Sequence, residues 1–316
     1  MFEEYYNRKK QEPTYVILGC QGSGTNLASR LLQQTLSFSV VHDRSLIFNS
    51  AVEVSKNPTS TTIEAQFKRI RRRIFPGKLR RRFMLKRHYR QAKHFSGLPT
   101  AIATDLVTTA SEFASYLYAY HAFNSGAKHQ GLKSDDLWET IEHIDAIIPN
   151  RRYILLVRDP RDNAISITNK DFGPKDIFAA SEYVRFRMAQ YANEVNRQKP
   201  ENVVTITYEN LLNQPVRELE KISSKWQLDL ADDYVERIEK MNIRSHNSRK
   251  WAKLPHRRLQ ICESILGEMI DQYGYERGTN ESTGVSSFQK LCWSAKDVAQ
   301  RVPQRAYKTC RNLVRP

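Results

Sequence analysis

Short β-rich apolar runs alternate along this chain with stretches of helical apolar spacing, and the alternation predicts its architecture. Residues 14–18 (TYVIL) form a short β-rich run ending at Gly19, and residues 26–36 follow with Leu27, Leu31 and Leu32 at helical spacing. A second short strand is expected over 38–41. Residues 105–123 read as a helix with apolar and aromatic faces, Gly131-Leu132-Lys133 as a strand end, and residues 136–147 as a further helix. The run 153–157 (YILLV) is almost continuously apolar, as in a strand buried on both faces of a parallel sheet. Helices over 161–169 and 176–196, a strand over 203–207 and helical sequence to 273 complete the pattern. Strands alternating with long helices predict an α/β fold with a doubly wound, mainly parallel sheet.

One stretch breaks this rhythm. Phe67, Ile70 and Ile74 keep helical spacing, Pro76-Gly77 interrupts it, and a second basic helix is expected from about residue 79. This predicts an inserted basic helical hairpin over about 60–97. Residues 68–93 hold thirteen of the 50 Lys and Arg and no acid, so most of the net charge of +16 is local. The plain reading is a solvated helical face. With Phe67, Ile70, Ile74, Phe75, Phe83, Met84 and Leu85 as its apolar side, the segment also suits attraction of an anionic polysaccharide, a lipid or an anionic membrane surface. No base-reading motif accompanies it, which places nucleic acid last. The expected organisation is a lead-in over 1–13, an α/β domain over 14–275 and a basic tail over 276–316.

Cys20, Cys262, Cys292 and Cys310 form no CxxC pair and have no histidine at zinc-ligand spacing, so neither a disulfide framework nor a structural metal is expected. No run approaches the ~20 apolar residues of a membrane span, and MFEEYYNRKK lacks a signal peptide's apolar centre. The expectation is a cytoplasmic protein, with peripheral membrane contact as the alternative that the basic segment offers.

Two loops carry the candidate chemistry. Gly19-Cys20-Gln21-Gly22-Ser23-Gly24-Thr25-Asn26 lies between a strand and a helix, where backbone amides and the helix N-terminus surround a phosphate-like group. Against GxxxxGK[ST], Thr25 stands where a nucleotide-hydrolysing loop has Lys, and Asn26 where it has the Mg²⁺-binding hydroxyl, which argues against metal-dependent NTP hydrolysis. Arg158-Asp-Pro-Arg-Asp-Asn-Ala-Ile-Ser166 directly follows the YILLV strand, so Arg158 leaves a strand's carboxyl end and Ser166 lies about two turns into the next helix. Both are suited to grip one phosphate; the alternative is an Arg-Asp turn that caps a helix behind Pro160.

Together these loops resemble those of the sulfotransferase family that uses 3'-phosphoadenosine-5'-phosphosulfate (PAPS). Two further matches follow in order: VVTITYENLLNQP at 203–215, and SRKWAK at 248–253 with a helix ending at QYGY (272–275). The resemblance spans about residues 14–275 and implies a P-loop-like nucleotide site and transfer of a sulfuryl group to an acceptor hydroxyl, with no metal required. It implies that Gly22, Ser23, Gly24, Thr25 and Asn26 form the 5'-phosphosulfate loop and that Arg158 and Ser166 hold the 3'-phosphate. Tyr208 is then expected near the adenine or ribose, and Arg249 and Lys250 over the nucleotide. One departure stands out: the family usually has Lys or Arg where this chain has Gly22, so stabilisation of the leaving phosphate must come from elsewhere. Lys133, in GLKSDD, is the candidate. For the catalytic base the candidates are Asp43 and His42, narrowly ahead of Asp135. The competing readings are a P-loop phosphotransferase or kinase, and a degenerate member that binds PAPS or a polyanion without turnover.

Overall fold

Why β1 (Thr14–Leu18) is apolar throughout is plain from its surroundings, since helices cover both faces of the sheet and all five residues are buried. Val16 and Leu18 enter the core on one side, and Tyr15 and Ile17 the core on the other. The computed structural model describes residues 1–42, 46–74, 93–95, 97–99, 102, 105–134, 137–170, 173–243 and 248–279. Within them, β2 (Phe38–His42), β3 (His129–Lys133), β4 (Arg151–Val157) and β5 (Val203–Thr207) join β1 in a five-stranded sheet of order β2-β3-β1-β4-β5. Every pairing is parallel. β1 is central, and its neighbours β3 and β4 come later in the chain, so the strand order switches there. In such sheets ligands bind at the carboxyl ends beside the switch.

The helices divide between the two faces. α2 (Thr25–Thr35) leaves the loop after β1 and buries Leu31 and Leu32 against one face, beside Leu219 and Ile222 of α10 (Pro215–Trp226). The opposite face is larger. It is covered by α3 (Leu46–Lys56), α4 (Ser60–Ile74), α5 (Ala110–Ser125), α7 (Pro160–Thr168), α8 (Ile177–Asn196) and α12 (His256–Gln272). The lead-in carries a helix of its own, α1 (Phe2–Lys9), which docks on α5 through a fully buried Tyr6 and the ring of Phe2, 5.2 Å from that of Tyr116.

Two segments differ from expectation for identifiable reasons. α5 starts at Ala110 rather than near 105, because Thr109 and Glu112 form a capping box: the Thr109 hydroxyl accepts from Glu112 N, and the Glu112 carboxylate accepts from Thr109 N. In place of one helix over 136–147, the chain makes 3₁₀ turns at Leu137–Glu139 and Ile141–His143 and then α6 (Ile144–Ile147). Thr140, at φ −140°, breaks the run, and Pro149 turns Ile148 out of helical geometry. Of the expected hairpin, α4 buries Ile63, Phe67 and Ile70 and exposes Lys68, Arg69 and Arg72; residues 75–92, like the tail from 280, lie outside the described residues. Among the described residues no helix is long and apolar enough to cross a membrane.

Candidate functional site

At the carboxyl end of β1 the chain turns sharply enough that two glycines are required. Gly24 adopts φ +102°, and a Cβ there would lie 2.3 Å from Cδ2 of Tyr208, so that ring rests directly on the loop backbone. Gly22 adopts φ +87°, with Asn163 Oδ1 and Ser166 Oγ each 3.0 Å from where its Cβ would stand. The Lys or Arg that the family resemblance leads one to expect is therefore missing at a position where helix α7 presses on the loop. Ser23 and Thr25 are buried, and the Ser23 hydroxyl has no hydrogen-bond partner. Thr25 opens α2, whose first N–H groups have no intrahelical acceptor. This donor-rich corner suits a phosphate or sulfate group.

Arg158 reaches the same loop from the end of β4. Its Nη1 donates to the Gly22 carbonyl at 2.8 Å, its guanidinium carbon lies 4.4 Å from the Tyr208 ring centroid, and Nη2 stands 3.6 Å from Asp162 Oδ2. Asp162 is fully buried. Burial pushes its carboxyl above the ordinary range, although the Trp251 N–H and Arg158 act the other way. Lys250 is held below the usual lysine range, first by burial and then by the nearby charges of Arg158 and Lys170, with Asp162 offsetting part of this. Like charges gathered at the edge of a loop of donors suit an anionic ligand.

Four separated stretches of sequence converge here. Asp159 caps α7 by accepting from Arg161 N, and its own N–H donates to Glu209, which also accepts from the Tyr275 hydroxyl at 2.9 Å. Asp162 Oδ1 accepts from Trp251 N at 3.0 Å, fastening the 248–253 segment to α7. Buried Arg161 forks onto both oxygens of Asp159, donates to Glu263 and to the Glu276 carbonyl, and lies 3.7 Å from the Trp251 ring centroid. The segments with TYENLL, SRKWAK and QYGY are thus wired to the Arg158–Ser166 loop.

Lys133 ends β3, level with Ile17 of β1 and His42 of β2. It is buried, and its Nζ donates to Asn26 Oδ1 at 3.3 Å, across the mouth of the loop. His42 is half-buried at the end of β2; Asp43 and Asp135 lie outside the described residues. Behind His42, His121 is buried and neutral, its value pushed down to about 3 by burial and by His94 and His42, with Nδ1 2.5 Å from the Ser39 hydroxyl. Arg249 is exposed and takes left-handed backbone at φ +56° as it starts the turn Lys250–Lys253. Ser166 is half-exposed and faces Gly22. Asp162, Asn163 and Trp251 lie inside the motifs read from sequence yet received no role there, and Gln21 stood in the loop unremarked. The Tyr183 hydroxyl donates to Gln21 Oε1 at 2.5 Å, a contact across 162 residues that no local pattern encodes.

These loops and their order have counterparts in known proteins. A model of the Sulfotransferase family matches residues 13–232. The sulfotransferase domain from the curacin biosynthetic pathway shares the fold, with a TM-score of 0.55 and 16% identity over 84% of this chain and 98% of that one. The sulfotransferase domain from the Synechococcus PCC 7002 olefin synthase does so with a TM-score of 0.52 and 14% identity, over 84% and 95%. No curated protein sequence matches the chain. With a family match over more than half its length, on the fold and loops described above, the chain belongs to the sulfotransferase family.

Proposed function

We propose that this protein transfers a sulfuryl group from PAPS to an acceptor hydroxyl, with carbohydrates and lipids among the acceptor classes to be tested. The observation that carries the reading is the contact of Arg158 with the Gly22 carbonyl, on the loop that leads into the N-terminus of α2, with the Lys250 turn fastened beside it through Asp162. The donor nucleotide supplies a sulfuryl group already activated by a phosphate leaving group. Ser23, Thr25 and the start of α2 hold its 5' side, and Arg158, Ser166 and Lys250 its 3'-phosphate. Tyr208 offers a ring beside the nucleoside, and Arg249 closes from the late turn. Lys133 takes the part of the cation missing at Gly22, since it reaches the loop mouth through Asn26. His42 and Asp43, ahead of Asp135, are the candidates to take the acceptor's proton.

Gly22 favours a second reading, binding without turnover. The engaged Lys133 speaks against it, and the P-loop kinase reading is weakened because Thr25 and Asn26 stand where such a loop has its Lys and its Mg²⁺-binding hydroxyl. The test is transfer of label from [³⁵S]PAPS, in EDTA, to a panel of sugars, lipids and small alcohols. Labelled product from the native protein is expected, with kcat reduced ~10²- to 10³-fold in Lys133→Met and the dissociation constant for 3'-phosphoadenosine-5'-phosphate (PAP) little changed. Tight PAP binding with no labelled product from any acceptor would establish the non-catalytic reading instead.

A further inference from the structure

Arg187, on α8, is in an unusual position for a buried cation. The residue is only 9% exposed, and its guanidinium carbon lies 3.9 Å from the Tyr183 ring centroid and 4.2 Å from that of Trp138. Its Nη1 is buried with no hydrogen-bond partner. Among the described residues no carboxylate pairs with it, whereas the other buried arginines each have one: Glu194 for Arg151, Asp162 for Arg158, and Asp159 with Glu263 for Arg161. Two aromatic faces offset part of the cost of burying the charge, but neither ring edge nor backbone accepts the guanidinium's hydrogens. A second donor lies in the same place, because Trp138 Nε1 is also buried without a partner. Two adjacent, buried and unsatisfied donors call for an anionic acceptor atom that the described residues do not supply.

The location ties this feature to the site. Tyr183, one wall of the sandwich, donates its hydroxyl to Gln21, the residue just ahead of Gly22. Trp138, the other wall, sits in the turn that follows β3 and Lys133. Phe186 is 51% exposed with its ring 5.8 Å from that of Trp138, which adds an apolar edge. None of these residues belongs to the loops that grip the two ends of the nucleotide.

We propose that Arg187, with Trp138, binds an anionic group of the acceptor, so that the substrate class is an alcohol or phenol carrying a carboxylate on an apolar or aromatic body. This specificity-determining role rests on the sulfuryl-transfer reading above. Arg presents a planar fork that matches the two oxygens of a carboxylate, and held between two rings it loses little freedom on binding. The donor's own sulfate is the other source of such oxygens, and the experiment separates the two.

Matched acid and amide pairs, 4-hydroxyphenylacetate with 4-hydroxyphenylacetamide and 10-hydroxydecanoate with its amide, are titrated calorimetrically into the full chain with and without saturating PAP. In the native protein one acid at least is expected to bind roughly tenfold or more tightly than its amide. Arg187→Gln should bring acid and amide within about twofold of each other, and Arg187→Lys should keep part of the preference. The PAP dissociation constant of Arg187→Gln should stay within about twofold of native, and its Tm should not fall, because an uncompensated charge has been removed. The proposal is overturned if neither acid binds, if acid and amide bind alike in the native protein, or if the preference survives in Arg187→Gln. A loss of affinity for adenosine 5'-phosphosulfate in that variant, with PAP affinity unchanged, would instead assign the guanidinium to the donor's sulfate. Failure of the native protein to bind PAP, with the acid preference intact, would reject the sulfuryl-donor reading and leave this subsite standing.

Discussion

At Gly24 a single hydrogen atom in place of a side chain lets Tyr208 lie against the loop, and two constraints coincide there: left-handed backbone at φ +102° and a ring carbon 2.3 Å from the missing Cβ. Gly24→Ala should therefore lower stability by about 1–2 kcal/mol from backbone strain alone, and weaken PAP binding by displacing Tyr208. In a Tyr208→Ala background the same substitution should cost less, a coupling that a double-mutant cycle in urea denaturation measures. Independent, additive losses would show that the ring and the loop are not in contact. Lys250 makes a pH prediction. Burial and Arg158 hold its pKa down in the free protein, and a bound phosphate would raise it. The group is then more readily protonated in the complex than in the free protein, so binding takes up protons. The resulting affinity is fully present below the free-state pKa and is lost as pH rises through the bound-state value. Alkaline titrations of PAP should show this falling limb, and Lys250→Met should flatten it; an unchanged profile would remove Lys250 from the phosphate.

Elements are held in register at the site by the buried cluster around Arg161, which joins α7, α12 and the segment after α12. Glu263 accepts from Gly278 N, Thr279 N and the Thr279 hydroxyl as well as from Arg161; burial alone would raise its carboxyl, but these donors outweigh it and hold the carboxyl low. Arg161→Met leaves Asp159 and Glu263 as buried, uncompensated charges and should cost about 3–5 kcal/mol in denaturant unfolding. Because the folded-state value of Glu263 is depressed, its share of stability is present above the ordinary carboxylate range and is lost as pH falls through that folded value, so the gap between native and variant should narrow in acid. A loss below ~1 kcal/mol would mean that this cluster does not fasten the elements. The element pattern itself was largely legible: β5 falls on 203–207 as its β-branched residues indicate, and YILLV is the buried strand its composition implies. Helix ends were less so. The start of α5 is set by the Thr109–Glu112 box, and the 136–147 stretch is broken by Thr140, local choices that apolar spacing does not carry.

Across the whole molecule, the order of the loops at Gly22, Lys133, Arg158 and Tyr208 was readable because each sits at a strand's carboxyl end, where a parallel sheet collects ligand-binding residues whatever their separation in sequence. That is why Gly22 to Asn26, Arg158, Ser166 and Lys133, singled out from motifs and the family resemblance, lie together at one end of the sheet. What joins them was not readable. Glu209 between Asp159 and Tyr275, Tyr183 on Gln21, and Arg187 on Trp138 are contacts over long stretches of chain, made by side chains whose spacing is that of ordinary core. The reason for Gly22 was equally hidden, since it lies in the pressure of Asn163 and Ser166 on the loop. On the proposed function this assembled corner reads a 3'-phosphorylated adenosine nucleotide without a metal, and sulfuryl transfer depends on that binding. The most direct test of this reading is calorimetric titration of PAP in EDTA into the native chain and Arg158→Ala, with adenosine 5'-phosphosulfate as the ligand lacking a 3'-phosphate. One-to-one PAP binding in EDTA is predicted, weakened by ~2–4 kcal/mol in Arg158→Ala, with a much smaller loss for adenosine 5'-phosphosulfate. A requirement for Mg²⁺, a preference for Mg-ATP, or equal losses for the two ligands would contradict it.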